Sequence, residues 1–215
     1  MMLVQSPSKI FKSDFSVWKK ENSSLINEIF SNEENIKLKK AVEIIVDENE
    51  VFDFHYPEKS SILVIVLYGE ILINDFEKPI SSEQIFTLQS IESNILKIKN
   101  HLPNEKADIL LLEFKNRTSE TFFSVENLNL NEKNTLIQIS ENLKFPNFIG
   151  LYDGRKEQEY ALYKKGKSIF GMVINGAFEF QNRLMETRDA ILLSEVEILE
   201  FEALSENALI LFFEV

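Results

Sequence analysis

The sequence predicts an all-β protein built from two copies of one double-sheet β-barrel. Short apolar runs rich in Ile, Val, Leu and Phe recur along the 215-residue chain, and turn residues separate them. Such runs at regular spacing are typical of a β-sandwich or barrel. The chain also repeats itself at a distance far longer than a solenoid repeat, which indicates a duplicated domain.

Three pairs of segments carry the repeat: residues 61–69 and 168–176, residues 95–99 and 198–202, and residues 105–114 and 206–215. The shifts between partners are 107, 103 and 101 positions. A shift that falls along the chain is expected when loops differ in length and strands do not. The repeat therefore predicts two tandem domains with matching strands.

The same repeat sets the expected domain boundaries. We expect an N-terminal domain over residues 1–114, which includes an N-terminal extension, and a C-terminal domain over residues 134–215. Residues 115–133 are polar and carry no sustained apolar pattern, which is typical of a linker. Each copy is long enough to enclose a core of its own.

Each copy also has the same internal order of elements. A strand enters a glycine turn at Gly69 or Gly176, a short alternating strand follows, and an acidic residue, Glu83 or Asp189, comes 14 or 13 positions after the glycine. This order is typical of a cupin, a double-stranded β-helix of jelly-roll type with a small pocket at one end. We therefore expect two tandem cupin barrels.

Composition disfavours several kinds of partner and chemistry. The net charge of −12 disfavours nucleic-acid binding, which depends on neutralising phosphates. The chain has no cysteine, which excludes a thiol nucleophile, a disulfide and a zinc-thiolate site. No apolar run approaches the roughly 18 residues of a membrane span, and residues 1–15 lack the apolar core of a secretion signal. We expect a cytoplasmic protein with no membrane partner.

Residues 149–157 (IGLYDGRKE), 173–184 (VINGAFEFQNRL) and 201–204 (FEAL), with Arg188-Asp189 between them, carry a family resemblance. They resemble the C-terminal cupin of the pirin-like bicupins, the region known as the quercetinase C-terminal cupin domain. Residues 40–114 resemble the N-terminal pirin cupin more weakly. The resemblance implies the two-barrel fold over almost the whole chain.

In this family the N-terminal cupin carries an iron-type metal on an H-x-H pair and a later H-x-E pair. The resemblance places His55 at the first ligand position and Pro57, which has no donor atom, at the second. Lys97 and Lys99 replace the later pair, and an ammonium group repels a cation. The equivalent positions of the second copy are Leu162, Lys164, Glu200 and Glu202. We therefore expect a degenerate metal motif and no metal cofactor.

His55, Lys97 and Lys99 are nevertheless candidate ligand-pocket residues. Lys97 and Lys99 are two positions apart and share one face of a strand. If that face points inward, the two ammonium groups need a carboxylate or an anionic ligand in the former metal cavity. If it points outward, the lysines are solvated, and a one-residue change of register separates the two arrangements.

Three functions stay open, because a fold alone does not define an activity. The resemblance favours a bicupin without the usual metal centre, acting as a non-enzymatic small-molecule-binding, regulatory or interaction protein. The first alternative is a metal-dependent dioxygenase of the quercetinase type, or another cupin enzyme with a modified pocket, for which iron or another divalent metal would be the cofactor. The second is a structural self-association module. The sequence identifies no catalytic residue, ligand or protein partner.

Overall fold

The structure, a computed structural model, describes residues 6–31, 36–116, 119–164 and 166–215. It divides the chain into an N-terminal unit, Ser16–Leu128, and a C-terminal unit, which joins Met1–Phe15 to Asn129–Val215. The first strand, β1 (Ser8–Phe11), is followed by a 3-10 helix at Ser13–Phe15. No helix in these described ranges has the length and apolar character needed to cross a membrane.

The N-terminal unit consists of two antiparallel sheets that share one core. Its strands are β2 (Trp18–Glu21), β3 (Ser24–Ser31), β4 (Leu38–Val46), β5 (Val51–Tyr56), β6 (Ser60–Tyr68), β7 (Glu70–Ile73), β8 (Ile80–Ser81), β9 (Gln84–Ser90), β10 (Asn94–Asn100), β11 (Ala107–Lys115) and β12 (Phe122–Asn127). The larger sheet has the order β12-β9-β6-β11-β4-β3-β2, and the smaller has the order β5-β10-β7-β8.

Alternation along the strands decides which side chains fill the N-terminal barrel. On β5, Phe52, Phe54 and Tyr56 are buried and the residues between them are exposed. On β10, Leu96 and Ile98 are buried in the same way. Successive side chains of a strand point to opposite faces. The smaller sheet therefore has one apolar inner face and one solvated outer face.

The C-terminal unit repeats this arrangement with two sheets around a core of its own. After β1, its strands are β13 (Ile137–Gln138), β14 (Asn147–Tyr152), β15 (Glu157–Ala161), β16 (Ile169–Asn175), β17 (Ala177–Phe180), β18 (Leu184–Glu186), β19 (Ala190–Leu193), β20 (Ile198–Ala203) and β21 (Ala208–Glu214). The larger sheet has the order β1-β19-β16-β21-β14-β13, and the smaller has the order β15-β20-β17-β18.

Apart from β2, which has no counterpart in the C-terminal unit, the two units match strand for strand, and this confirms the predicted all-β fold and its duplication. The order β5-β10-β7-β8 corresponds to β15-β20-β17-β18. Even an irregularity recurs, because β6 bulges at Leu67 against β11 and β16 bulges at the equivalent Ile174 against β21. Each bulge precedes a glycine with positive φ, 91° at Gly69 and 80° at Gly176.

The unit boundaries in the structure differ from those predicted from the sequence. β1, which lies in the expected N-terminal extension, pairs with β19 of the C-terminal unit. The expected linker, residues 115–133, contains β12, which pairs with β9, and its residues 117–118 lie outside the described ranges. Both are edge strands with no fully buried residue, so an apolar pattern could not reveal them.

Candidate functional site

The three predicted pocket residues lie on the outer face of the smaller sheet in the N-terminal unit. β10 pairs with β5 in a register that sets Lys97 opposite Asp53, and His55 and Lys99 lie on the same face. His55, Lys97 and Lys99 are all exposed. The two lysines do not point inward, because the alternate positions on β10 occupy the core: Leu96 before Lys97, and Ile98 between Lys97 and Lys99.

The inner face of β5 and β10 does not fit the metal that the family resemblance implies. An H-x-H or H-x-E pair can bind one ion only if both members point into the barrel. The inward side chains are Phe52, Phe54 and Tyr56 on β5, with Leu96 and Ile98 on β10. None of them supplies the imidazole or carboxylate that such a metal requires. Within the described ranges, no group of three or more His, Cys, Asp or Glu side chains could hold a metal ion.

The C-terminal barrel contains hydrogen-bonded polar pairs, as the N-terminal unit does where the Ser60 hydroxyl donates to Glu113 Oε1 at 3.2 Å. The Tyr160 hydroxyl donates to Glu214 Oε1 at 2.7 Å, and the backbone N–H of Tyr163 donates to the same oxygen at 2.6 Å. The Tyr152 hydroxyl donates to Gln158 Oε1. Burial raises the pKa of both Tyr152 and Tyr160, and the Glu214 carboxylate adds to the effect at Tyr160. Both hydroxyls therefore stay neutral donors to partners within the protein.

A concave surface lies on the outer face of the smaller sheet in the C-terminal unit. It encloses about 440 Å³, and its lining residues are Glu157, Gln158, Glu159, Glu179, Asn182, Glu200, Phe201 and Glu202. The five glutamates come from the adjacent strands β15, β20 and β17. We call this surface the acidic groove.

Like charges face one another within the acidic groove. Three register pairs set carboxylates on neighbouring strands: Glu157 with Glu202, Glu179 with Glu202, and Glu159 with Glu200. In the described ranges the groove contains one ion pair, in which Arg155 Nη1 lies 3.5 Å from Glu202 Oε1. Carboxylates directly opposite each other destabilise a sheet. The arrangement therefore attracts cations, and it lacks the converging geometry of a metal site.

The alignment of the two sequence copies places two of the groove residues at positions where the family has metal ligands inside the barrel. Glu200 and Glu202 align there with Lys97 and Lys99. In the structure all four lie on outer faces. The signal for the groove is the alternation of glutamate with apolar residues on β20, together with the same spacing on β15. Leu162 and Lys164 align with His55 and Pro57. Leu162 packs against the core, and Lys164 is exposed.

Comparisons with known proteins agree with this geometry. Residues 131–215 match the family model of the quercetinase C-terminal cupin domain. No curated protein sequence matches the chain. Among solved structures, the chain is similar to bacterial pirin YhhW from Escherichia coli in complex with nickel(II), with a TM-score of 0.82 and 10% identity, covering 97% of this chain and 99% of that one.

Two further solved structures share the fold. Quercetin 2,3-dioxygenase from Acinetobacter baumannii gives a TM-score of 0.74 at 10% identity, covering 96% of this chain and 85% of that one. YhaK from Escherichia coli gives 0.70 at 15% identity, covering 86% of this chain and 92% of that one.

Two tandem cupin barrels of matching topology define a bicupin. The whole chain has this bicupin fold, which bacterial pirin YhhW shares, and residues 131–215 match the quercetinase C-terminal cupin domain. Of the four N-terminal positions at which the family resemblance implies metal ligands, His55 is the one that carries a ligand residue.

Proposed function

We propose that this chain is a non-enzymatic bicupin that works without a metal centre and binds a cationic partner at the acidic groove. The observation that carries the proposal is the filling of the N-terminal barrel. Phe54, Tyr56, Leu96 and Ile98 occupy the inner face where metal ligands would have to stand, and none is more than 7% exposed. On this face, close-packed apolar side chains leave neither donors nor space for a metal and its substrate. This packing favours a scaffold over a reaction chamber.

The acidic groove supports the binding part of the proposal. Its three like-charge register pairs each reduce the stability of the sheet. Proteins retain destabilising arrangements chiefly where a function requires them. Five carboxylates around one concave surface create a negative potential that attracts positive charge. We expect the partner to be a cytoplasmic protein with a lysine- or arginine-rich segment.

Titration with an oligolysine peptide tests the groove. We compare the tag-free protein with the double variant Glu159→Gln/Glu200→Gln by calorimetry at low and moderate salt. The double variant is expected to bind at least about tenfold more weakly, which corresponds to about 1.4 kcal/mol. The matched control is Asp53→Asn/Glu58→Gln, which removes two exposed carboxylates from the N-terminal unit and gives the same net charge. If both variants bound the peptide equally weakly, the peptide would be attracted by the overall negative charge, and the groove would be excluded as the binding site.

Oxygen consumption tests the non-enzymatic part against the dioxygenase alternative. Protein incubated with ferrous iron is mixed with a flavonol, and oxygen uptake is followed with an electrode. The proposal predicts the rate of a protein-free iron control. Uptake that depends on both protein and iron would establish the dioxygenase instead, whatever the result at the groove.

A further inference from the structure

The outer strand of the larger C-terminal sheet comes from the far end of the sequence. β1 pairs with β19 in an antiparallel register that runs from Ser8 opposite Leu193 to Phe11 opposite Ala190. At the equivalent edge of the N-terminal unit, the place of β1 is taken by β12, which follows β11 directly. The C-terminal unit is therefore completed by a segment that residues 16–128 separate from the rest of that unit.

Backbone and polar contacts, rather than apolar burial, hold β1 in place. Three of its four residues are exposed and Phe11 is half-buried. Beyond the strand ladder, Arg183 Nη2 donates to the Ser6 carbonyl at 2.7 Å, and the Ser194 N–H donates to the Pro7 carbonyl at 2.9 Å. A strand with so little buried apolar surface separates from the sheet without opening the core.

One buried carboxylate makes the site selective for this segment. Asp189 is 1% exposed, and its carboxylate lies 2.5 Å from Lys12 Nζ and accepts the Ser13 N–H at 2.8 Å. The Glu186 N–H completes its hydrogen bonds at 2.9 Å. Removing the N-terminal segment would leave a buried charge without its cation, which is costly. The β19 edge therefore requires a strand followed by a lysine, and residues 8–13 of any copy of this chain satisfy it.

We propose that the β19 edge is a strand-addition site whose alternative occupant is the N-terminal segment of a second copy of this chain. Two chains would exchange β1 reciprocally and form a dimer. Every contact between β1 and β19 is then reproduced, because the exchanged segments are identical. The connection after Phe15 must change its path, and Phe15 and Val17 beside it are 82% and 68% exposed, so little burial opposes the change. The chain's own β1 is tethered near the β19 edge and competes for it at a fixed effective concentration. Exchange with a second chain therefore increases with protein concentration.

The absence of cysteine from the chain makes a direct test possible. Lys9 and Leu192 are register partners, exposed and half-buried respectively, and a disulfide can join closely paired positions of this kind. We mix Lys9→Cys chains with Leu192→Cys chains, refold them together from urea at high concentration, and oxidise them. The expected product is a disulfide-linked heterodimer, identified by non-reducing electrophoresis and mass spectrometry. The double variant Lys9→Cys/Leu192→Cys at low concentration gives an intramolecular bond and verifies that the pair is within reach.

A matched pair at the equivalent edge controls for random cross-linking. Asn127 and Gln84 are register partners of β12 and β9, exposed and half-buried respectively as Lys9 and Leu192 are, and β12 is tethered directly to its own unit. Mixed Asn127→Cys and Gln84→Cys chains are expected to give no heterodimer above background. Either no heterodimer from the Lys9 and Leu192 variants, or equal yields from both mixtures, overturns strand exchange. Neither result bears on the acidic groove.

Discussion

The two smaller sheets of this molecule share their strand order but present differently charged outer faces to solvent. Lys97 faces Asp53 in the N-terminal unit, whereas the equivalent Glu200 faces Glu159 in the C-terminal unit. The inner faces of both sheets are mainly apolar. The difference teaches that the duplicated fold is specified by its inner faces and turns, which leaves the outer faces available for different binding properties.

The largest expected effect follows from the division between inner and outer faces. Phe201 lies in the aromatic core of the C-terminal unit, with its ring centroid 5.4 Å from that of Tyr152 and 6.3 Å from that of Phe212. Phe201→Ala should lower the free energy of unfolding by about 3–5 kcal/mol. Glu200→Ala, on the adjacent outer position, should stay within about 0.5 kcal/mol. Urea unfolding measures both, and similar losses would remove the distinction between the faces.

A second comparison concerns the pKa values of two buried carboxyl groups, Asp189 in the C-terminal unit and Glu113 in the N-terminal unit. Burial opposes ionisation of Asp189, but hydrogen bonds from Lys12 and from the Glu186 and Ser13 N–H groups outweigh it and lower its pKa. At Glu113, burial raises the pKa, although the Ser60 hydroxyl and Lys40 partly offset it. The two carboxylates therefore respond to pH with opposite sign.

Because the Asp189 pKa is lowered in the folded state, its charge stabilises the protein above the unfolded pKa of about 3.9 and ceases to do so as pH falls through the folded value. Asp189→Asn should therefore cost about 1.5–3 kcal/mol at neutral pH, and the cost should shrink in strong acid. Thermal unfolding between neutral and acidic pH measures it. A cost independent of pH would exclude the ion pair as its origin.

Because the Glu113 pKa is raised, its contribution is present below the unfolded pKa of about 4.3 and is lost as pH rises through the folded value. Glu113→Gln, which keeps a hydrogen-bond acceptor for Ser60, should be neutral in acid and stabilising above pH 7. Thermal unfolding over the same pH range measures the sign of this change in stability. Destabilisation that grows with pH would mean that the nearby lysines outweigh burial.

The glycine turns test the equivalence of the two units. Gly69 and Gly176 have φ values of 91° and 80°, and a Cβ at Gly69 would stand 2.9 Å from Leu102 Cδ1. A Cβ at Gly176 would meet Ser205 and Ala208. Alanine at either position should cost about 1–3 kcal/mol. Gly166 is the control, because it has a φ of 75° but no atom near its Cβ position, so its cost reflects backbone strain alone. If alanine lowered the stability less at Gly69 or Gly176 than at Gly166, the steric contacts of the added Cβ would not be the cause of the loss.

The smallest effects sharpen the comparison of outer faces. Glu200→Gln relieves a like-charge pair and should stabilise the protein by about 0.2–1 kcal/mol, whereas Lys97→Gln removes an opposite-charge pair and should destabilise it by a similar amount. Both changes should shrink at high salt, because salt screens exposed charges. Chemical unfolding at two salt concentrations measures them, and the same sign for both variants would argue against the charge reversal.

The sequence predicts most of the barrel strands because they have buried faces and a partner copy with the same pattern. It does not predict β1 and β12, since edge strands without buried residues leave no alternation to detect. On β10, the alternation of Leu96 and Ile98 with Lys97 and Lys99 already indicates outward lysines, and only the assumption of an open metal pocket favours the inward arrangement. The acidic groove depends on register between β15, β20 and β17, which local sequence does not contain.

Metal content tests the central claim, that the apolar filling of the N-terminal barrel leaves no metal centre. Tag-free protein is incubated with iron, nickel or zinc, dialysed, and measured by elemental mass spectrometry, together with its melting temperature. We predict well under one equivalent of any metal, and no metal-dependent rise in melting temperature for the wild type or for His55→Ala. Stoichiometric metal, with a stabilisation that is lost in His55→Ala, would contradict the account.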